Sequence, residues 1–125
     1  MEELVNCHIY IDIWKVENIS GGDRTYEIVF LTPQKNKYKL IFDNVWDIRC
    51  SIENACIDRF AKFKRKVDKR SSIVLVQNSD YIKYIENEVS GTYPTDALHD
   101  YILFDEIDTV VEVITTKEPV LVEIL

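Results

Sequence analysis

Asp43-Asn-Val-Trp-Asp-Ile-Arg-Cys-Ser-Ile-Glu-Asn-Ala-Cys-Ile-Asp-Arg-Phe-Ala-Lys-Phe-Lys-Arg-Lys-Val67 is the stretch on which the fold class turns. Trp46, Ile48, Cys50 and Ile52 alternate as in a strand, whereas Val45, Ile48, Ile52, Cys56, Phe60 and Phe63 recur at helical spacing. The run holds no Gly or Pro, opens with Asp43 and Asn44 as candidate caps, and ends in basic residues that suit a helix C-terminus. Its length predicts a helix over residues 51–66, with residues 44–52 open to either reading.

Upstream of it, Val5, Cys7, Ile9, Ile11 and Ile13 share one parity and Asn6, His8, Tyr10 and Asp12 the other, the period of a half-buried strand. A turn at Ser20-Gly-Gly-Asp23 separates this from Tyr26, Ile28 and Phe30, and Pro33-Gln-Lys-Asn36 separates those from Tyr38, Leu40 and Phe42. Three strands joined by short polar turns predict an antiparallel meander. Downstream, residues 72–76 read as a strand buried on both faces. Ser79 then caps a short helix with Tyr81, Ile82, Ile85 and Val89 as one stripe and Gly91 as its stop. Three further strands fit residues 101–104, 109–115 and 120–125. The pattern predicts an α+β fold, a mainly antiparallel sheet of about seven strands with two helices on one face. At 125 residues, 46% hydrophobic and with three Gly and three Pro, the chain has the length of one domain, 1–125, and is not a low-complexity segment.

Charge is distributed unevenly. The net −7 divides into −3 over residues 1–57, +5 over 58–79 and −9 over 80–125, the last segment holding eleven acids against two lysines. These acids alternate with Ile, Val, Leu and Phe, as in Tyr101-Ile-Leu-Phe-Asp-Glu-Ile-Asp108, so they belong to a folded surface and not to a repelling tail. Net acidity argues against nucleic acid as a partner, because phosphate neutralisation supplies most of that affinity. The basic run Arg59, Lys62, Lys64, Arg65, Lys66, Lys69 and Arg70 lacks interleaved aromatics. No apolar run approaches the roughly eighteen residues of a membrane span, and the opening Met1-Glu-Glu-Leu-Val-Asn6 is unlike a secretory signal. A cytoplasmic protein is expected, with Cys7, Cys50 and Cys56 reduced and the last two buried among apolar neighbours.

Motifs for chemistry are few: the chain has no Gly-rich phosphate loop, nucleophile elbow or zinc helix. Cys7 and His8 point to opposite sides of a strand and cannot share a local metal. No metal, cofactor or enzymatic activity is expected. His99-Asp100 is the one pair with general-base potential, and Trp46 the aromatic that could stack a ligand beside it. Tyr93, surrounded by acids, is expected to be exposed. A single-sign surface speeds encounter with an opposite charge, which makes Tyr93, Asp96, His99, Asp100, Asp105, Glu106 and Asp108 candidate partner-binding residues.

Phe42-Asp-Asn-Val-Trp-Asp-Ile-Arg49, Ser51-Ile-Glu-Asn54, Ser72-Ile-Val-Leu-Val76, Leu98-His-Asp-Tyr-Ile102 and Val110-Val-Glu-Val113 together resemble small cytosolic proteins of Gram-positive bacteria, some similar to the immunity proteins of polymorphic toxins. The resemblance implies a small α+β antidote that binds and inhibits a basic toxin domain. It carries over no residue roles. Two other readings stand beside it. One is a small-ligand or enzymatic domain with a pocket near His99, Asp100 and Trp46. The other is a subunit that self-associates through the strand at residues 120–125, so the expected state is monomer or homodimer.

Overall fold

The computed structural model describes residues 1–66 and 71–125. Within residues 43–67 the strand reading wins first. Val45–Ile52 forms strand β5, a 3-10 turn follows over Glu53–Cys56, helix α1 is limited to Ile57–Lys62, and Lys64–Lys66 is extended again as β6. The predicted helix over 51–66 is thus shortened at both ends. Its helical spacing arises because the 3-10 turn and α1 bring Cys56, Phe60 and Phe63 to one apolar cluster, whereas Ile52 ends β5 and is exposed. Lys69 and Arg70 of the basic run lie outside the described residues.

The remaining elements are β1 (Glu3–Asn6), β2 (Lys15–Gly22), β3 (Thr25–Leu31), β4 (Lys37–Phe42), β7 (Ile73–Gln77), helix α2 (Asp80–Val89), β8 (His99–Phe104), β9 (Thr109–Thr115) and β10 (Val120–Ile124). The ten described strands form two sheets where one sheet of about seven was expected. One is six-stranded in the order β5-β9-β8-β7-β1-β6, the other four-stranded in the order β10-β4-β3-β2. Pairing is antiparallel throughout except for β1 with β6. The class is α+β, with a meander at β2-β3-β4 as predicted but begun by a different strand.

Residues 5–13 show why. Their alternation is real as burial, since Ile9 and Ile13 are buried while His8, Tyr10 and Asp12 are exposed. Hydrogen bonding follows another plan. After β1 the chain crosses from the large sheet to the small one. Ile11 O accepts from Ser72 N at 3.0 Å, Ile13 N donates to Ser72 Oγ at 2.8 Å, and Trp14 N donates to Leu31 O at 2.8 Å. A strap between layers needs one apolar side as much as a strand does, so periodicity alone does not separate them. The predicted turn also moves. β2 runs through Gly22, and the two-residue loop is Asp23-Arg24 with φ of 50° and 68°, the doubly left-handed hairpin geometry that matches strand twist.

The main core lies between the sheets: Ile28, Phe30, Leu40 and Phe42 of the small sheet meet Ile73, Tyr101, Leu103, Val111 and Val113 of the large one. The opposite face of the large sheet is covered by both helices in two separate apolar clusters. Phe60 and Phe63, in and just after α1, pack with Leu4, Val74, Val76, Ile102 and Val110. Tyr81 and Ile85 of α2 pack with Leu98, Ile114 and Trp46. Burial on both faces explains the unbroken apolar character of β7 and most of β9.

Candidate functional site

Between those two helical clusters runs a polar seam. Glu112 sits mid-strand in β9, paired across the sheet with Arg49 of β5 on one side and Ile102 of β8 on the other. Asp100 lies diagonally across from it on the same face, and Glu2 sits just before β1. All three carboxylates are buried. Arg59, carried in by α1, joins them. Its Nε and Nη2 donate to the two Glu2 oxygens at 3.2 and 2.9 Å, while Nη1 and Nη2 donate to the two Glu112 oxygens, the latter at 2.9 Å. Nη2 also lies 3.7 Å from Asp100 Oδ2. Planar two-pronged bonding to two carboxylates uses nearly the whole donor set of one guanidinium.

The seam also sets α2. Ser79, the cap residue, accepts from Ile82 N at 3.0 Å and donates its hydroxyl to Asp100 Oδ2 at 2.5 Å. Glu2 Oε2 accepts from Asp80 N at 3.0 Å, placing negative charge at the helix N-terminus where the dipole favours it. Burial raises the affinity of Glu2 for a proton, but the bonds from Arg59 and the Asp80 amide outweigh that and hold its carboxyl below the usual range. Asp100 goes the other way: burial first, then the hydrogen bond and charge of the adjacent Glu112, pushes it well above its ordinary value. The Arg59 guanidinium is correspondingly held charged, its burial penalty exceeded by Glu112 and Glu2.

A cleft of about 690 Å³ opens over this seam, lined by Glu2, Arg49, Arg59, Lys62, Tyr81 and Tyr84 among others. Arg49 lies across the Tyr81 ring, 3.5 Å from its centroid. Tyr81 is itself buried. Burial, reinforced by the nearby Asp47 carboxylate, pushes its hydroxyl upward. Chemically, the floor of the cleft is committed: Arg59 is occupied by carboxylates, and Ser79 Oγ is engaged on both sides. The arrangement ties β1, α1, α2, β8 and β9 together; it presents no free nucleophile and base.

The seven residues singled out from the sequence do not converge. Tyr93, Asp96 and His99 lie at the start of β8 and in the loop before it, all exposed. Asp105, Glu106 and Asp108 lie beyond its other end, about 17 Å away along a six-residue strand at the usual rise. Asp100 is fully buried and leaves the surface set altogether. It also faces the helices, whereas His99, one residue earlier, points to the opposite side of the sheet. The pocket expected near His99, Asp100 and Trp46 therefore has no common wall; Trp46 instead packs edge-on against Tyr93 at 6.3 Å. Asp105 is occupied by the backbone, its Oδ1 accepting from Ile107, Asp108 and Thr109 N and its Oδ2 from Val16 N. Cys50, expected to be buried, is exposed, and Cys56 is half-buried with Sγ 3.1 Å from Ser51 Oγ.

What does gather at the far end of β8 is a smaller acidic group. Asp108 Oδ1 and O both accept from Glu53 N, bringing the end of β5 against the β8–β9 turn. Glu53, Glu106 and Asp108 have no cationic partner among the described residues. Ile52 and Ile107, each 57% exposed, stand beside them. A groove of about 510 Å³ between these parts is lined by Glu53, Phe60, Phe104, Asp105, Glu106 and Val110.

The sequence reading missed Arg59 and Glu112 as partners. A signal was present: Glu112 interrupts Val110-Val-Glu-Val-Ile114, and a carboxylate inside a continuously apolar strand requires a buried partner. Compared with known protein families, curated proteins and solved structures, the chain matches none.

Proposed function

We propose that this chain is a binding protein of the antidote type, which inhibits a basic protein domain by covering it with the acidic end of its large sheet. The observation that carries the reading is the pairing of exposed Ile52 and Ile107 with Glu53, Glu106 and Asp108, carboxylates without a cationic partner among the described residues. Charge at the rim speeds and selects the encounter, and a few aliphatic anchors seated in the partner supply affinity. The Phe60–Phe104 groove offers the complementary pocket for an apolar side chain of the partner. The surface is narrower than composition implied and excludes Asp100.

Co-expression tests this directly. A basic domain encoded beside this chain should arrest growth when expressed alone and lose that effect when this chain is present. Ile107→Asp combined with Glu106→Lys should abolish protection, while His99→Ala at the opposite end should leave it intact. Growth arrest that persists with the unaltered chain present overturns the proposal.

A further inference from the structure

Sheet edges expose unpaired backbone donors and acceptors, and most proteins disarm them. Two of the four edges here carry such devices. The β2 edge has a bulge between Val16 and Asn18 and a lysine at its start. The β5 edge has a bulge between Val45 and Asp47 and displays the exposed Arg49. A third, β6, is Lys64-Arg-Lys66 in sequence. β10 has neither a basic residue nor a bulge, its one charge being Glu123 on the side of Leu121. It pairs with β4 in unbroken register from Val120 opposite Ile41 to Ile124 opposite Lys37, and its other side meets no strand among the described residues. Leu121 packs into the core, so Val120, Val122 and Ile124 point outward, at 55%, 37% and 36% exposure. A straight edge with a solvent-facing aliphatic row is a surface built for strand addition.

The occupant can be read from the strand itself. Val120-Leu-Val-Glu-Ile124 is self-complementary when turned about a two-fold normal to the sheet at Val122. Val122 then faces its own copy, Val120 faces Ile124, and Leu121 faces Glu123. The outer face of the seam becomes six aliphatic side chains. Neighbouring registers fail on identifiable grounds. An axis at Glu123 sets two carboxylates opposite each other. An axis at Leu121 brings Pro119, which has no N–H, into the ladder. We propose that β10 pairs antiparallel with β10 of a second copy about Val122, joining two four-stranded sheets into one of eight strands. The contact is isologous and closes on itself, giving a dimer and not a fibre. It lies on the small sheet, whereas the acidic end belongs to the large one, so this inference is independent of the proposed function.

Sedimentation or light scattering over a wide concentration range tests it. The mass should double as concentration rises, and Val122→Lys should move the midpoint at least tenfold higher while the circular dichroism stays native. Lys15→Ala on the β2 edge should change nothing. Val122→Cys adds a reading of register: thiols facing each other across the two-fold should oxidise to a linked dimer well above the background of the native cysteines. Val120→Cys, which faces Ile124, should not. That crosslink decides the matter if Val122→Lys does not fold. A monomeric mass at every concentration overturns the proposal, as does a dimer indifferent to Val122→Lys or crosslinked equally from position 120. A chain that stays monomeric yet captures a foreign extended peptide on β10 also overturns it.

Discussion

Between the two apolar clusters that pack the helices on the large sheet, the Arg59 guanidinium bridges Glu2 and Glu112. Removing it in Arg59→Ala leaves Glu2 and Glu112 buried without their counter-charge, and breaking a buried pair in this way costs about 3–5 kcal/mol. Because the Arg59 side chain is 28% exposed, the lower end of that range is expected. Urea denaturation monitored by tryptophan emission checks it. Asp100 makes a prediction of opposite sense. Its carboxyl holds its proton more tightly in the folded protein than in the unfolded chain, so folding is penalised progressively as pH rises above the ordinary carboxylate value of about 3.9. Asp100→Asn removes that penalty. Its stability relative to the parent should therefore improve steadily from about pH 4 upward, as read by denaturation midpoints at each pH; a parallel pair of curves would refute the assignment. Glu2 acts the other way, contributing stability above its unfolded value that is lost as pH falls through its lower folded value. None of these partnerships was visible locally. Arg59 looked like one member of a basic run because Glu2, Asp100 and Glu112 reach it from three separate strands or strand ends, and spacing along the chain carries no record of that.

Elements were legible where a local rule and the tertiary setting agreed. α2 is the clear case: Ser79 as cap, a stripe at Tyr81, Ile82 and Ile85, and a left-handed exit through Ser90 and Gly91 were all set by neighbouring residues. Residues 45–52 were not, since their side chains satisfy both periods, and pairing with β9 decided the outcome. The strap after β1 was misread for a related reason, because alternation reports which side is buried and says nothing of ladder partners. The β2–β3 hairpin offers a test at this scale. A methyl group at Gly21 would collide with Thr25 O and Tyr26, whereas one at Gly22 meets nothing within 4 Å. Gly21→Ala should cost about 1–3 kcal/mol, the usual range for forced overpacking, and Gly22→Ala should be nearly neutral. Thermal melts of the two variants side by side would show it.

Across the whole molecule, five of the eleven acids of residues 80–125 fall into three different settings. Asp100 and Glu112 are internal, Asp105 ties a turn, and Glu106 and Asp108 have no cationic partner among the described residues. Segment charge therefore overstated the surface field. Steering by the remainder still has a measurable form. Association with a basic partner should slow between low and physiological salt, where the screening length contracts to about 8 Å. Charge removal in Glu53→Gln, Glu106→Gln and Asp108→Asn together should flatten that dependence. A rate unchanged by salt in the parent chain would remove charge from the recognition step.

The position of β1 has a kinetic consequence. Glu3 is paired with Gln77 on one side and Lys64 on the other, so this early segment is interior to its sheet yet depends on neighbours that lie far along the chain. During synthesis, β1 lacks its antiparallel neighbour until β7 has emerged, and Glu2 cannot reach the Asp80 amide before α2 has. Assembly of the large sheet therefore depends on contacts between residues far apart in the chain, the kind whose loop-closure cost slows folding.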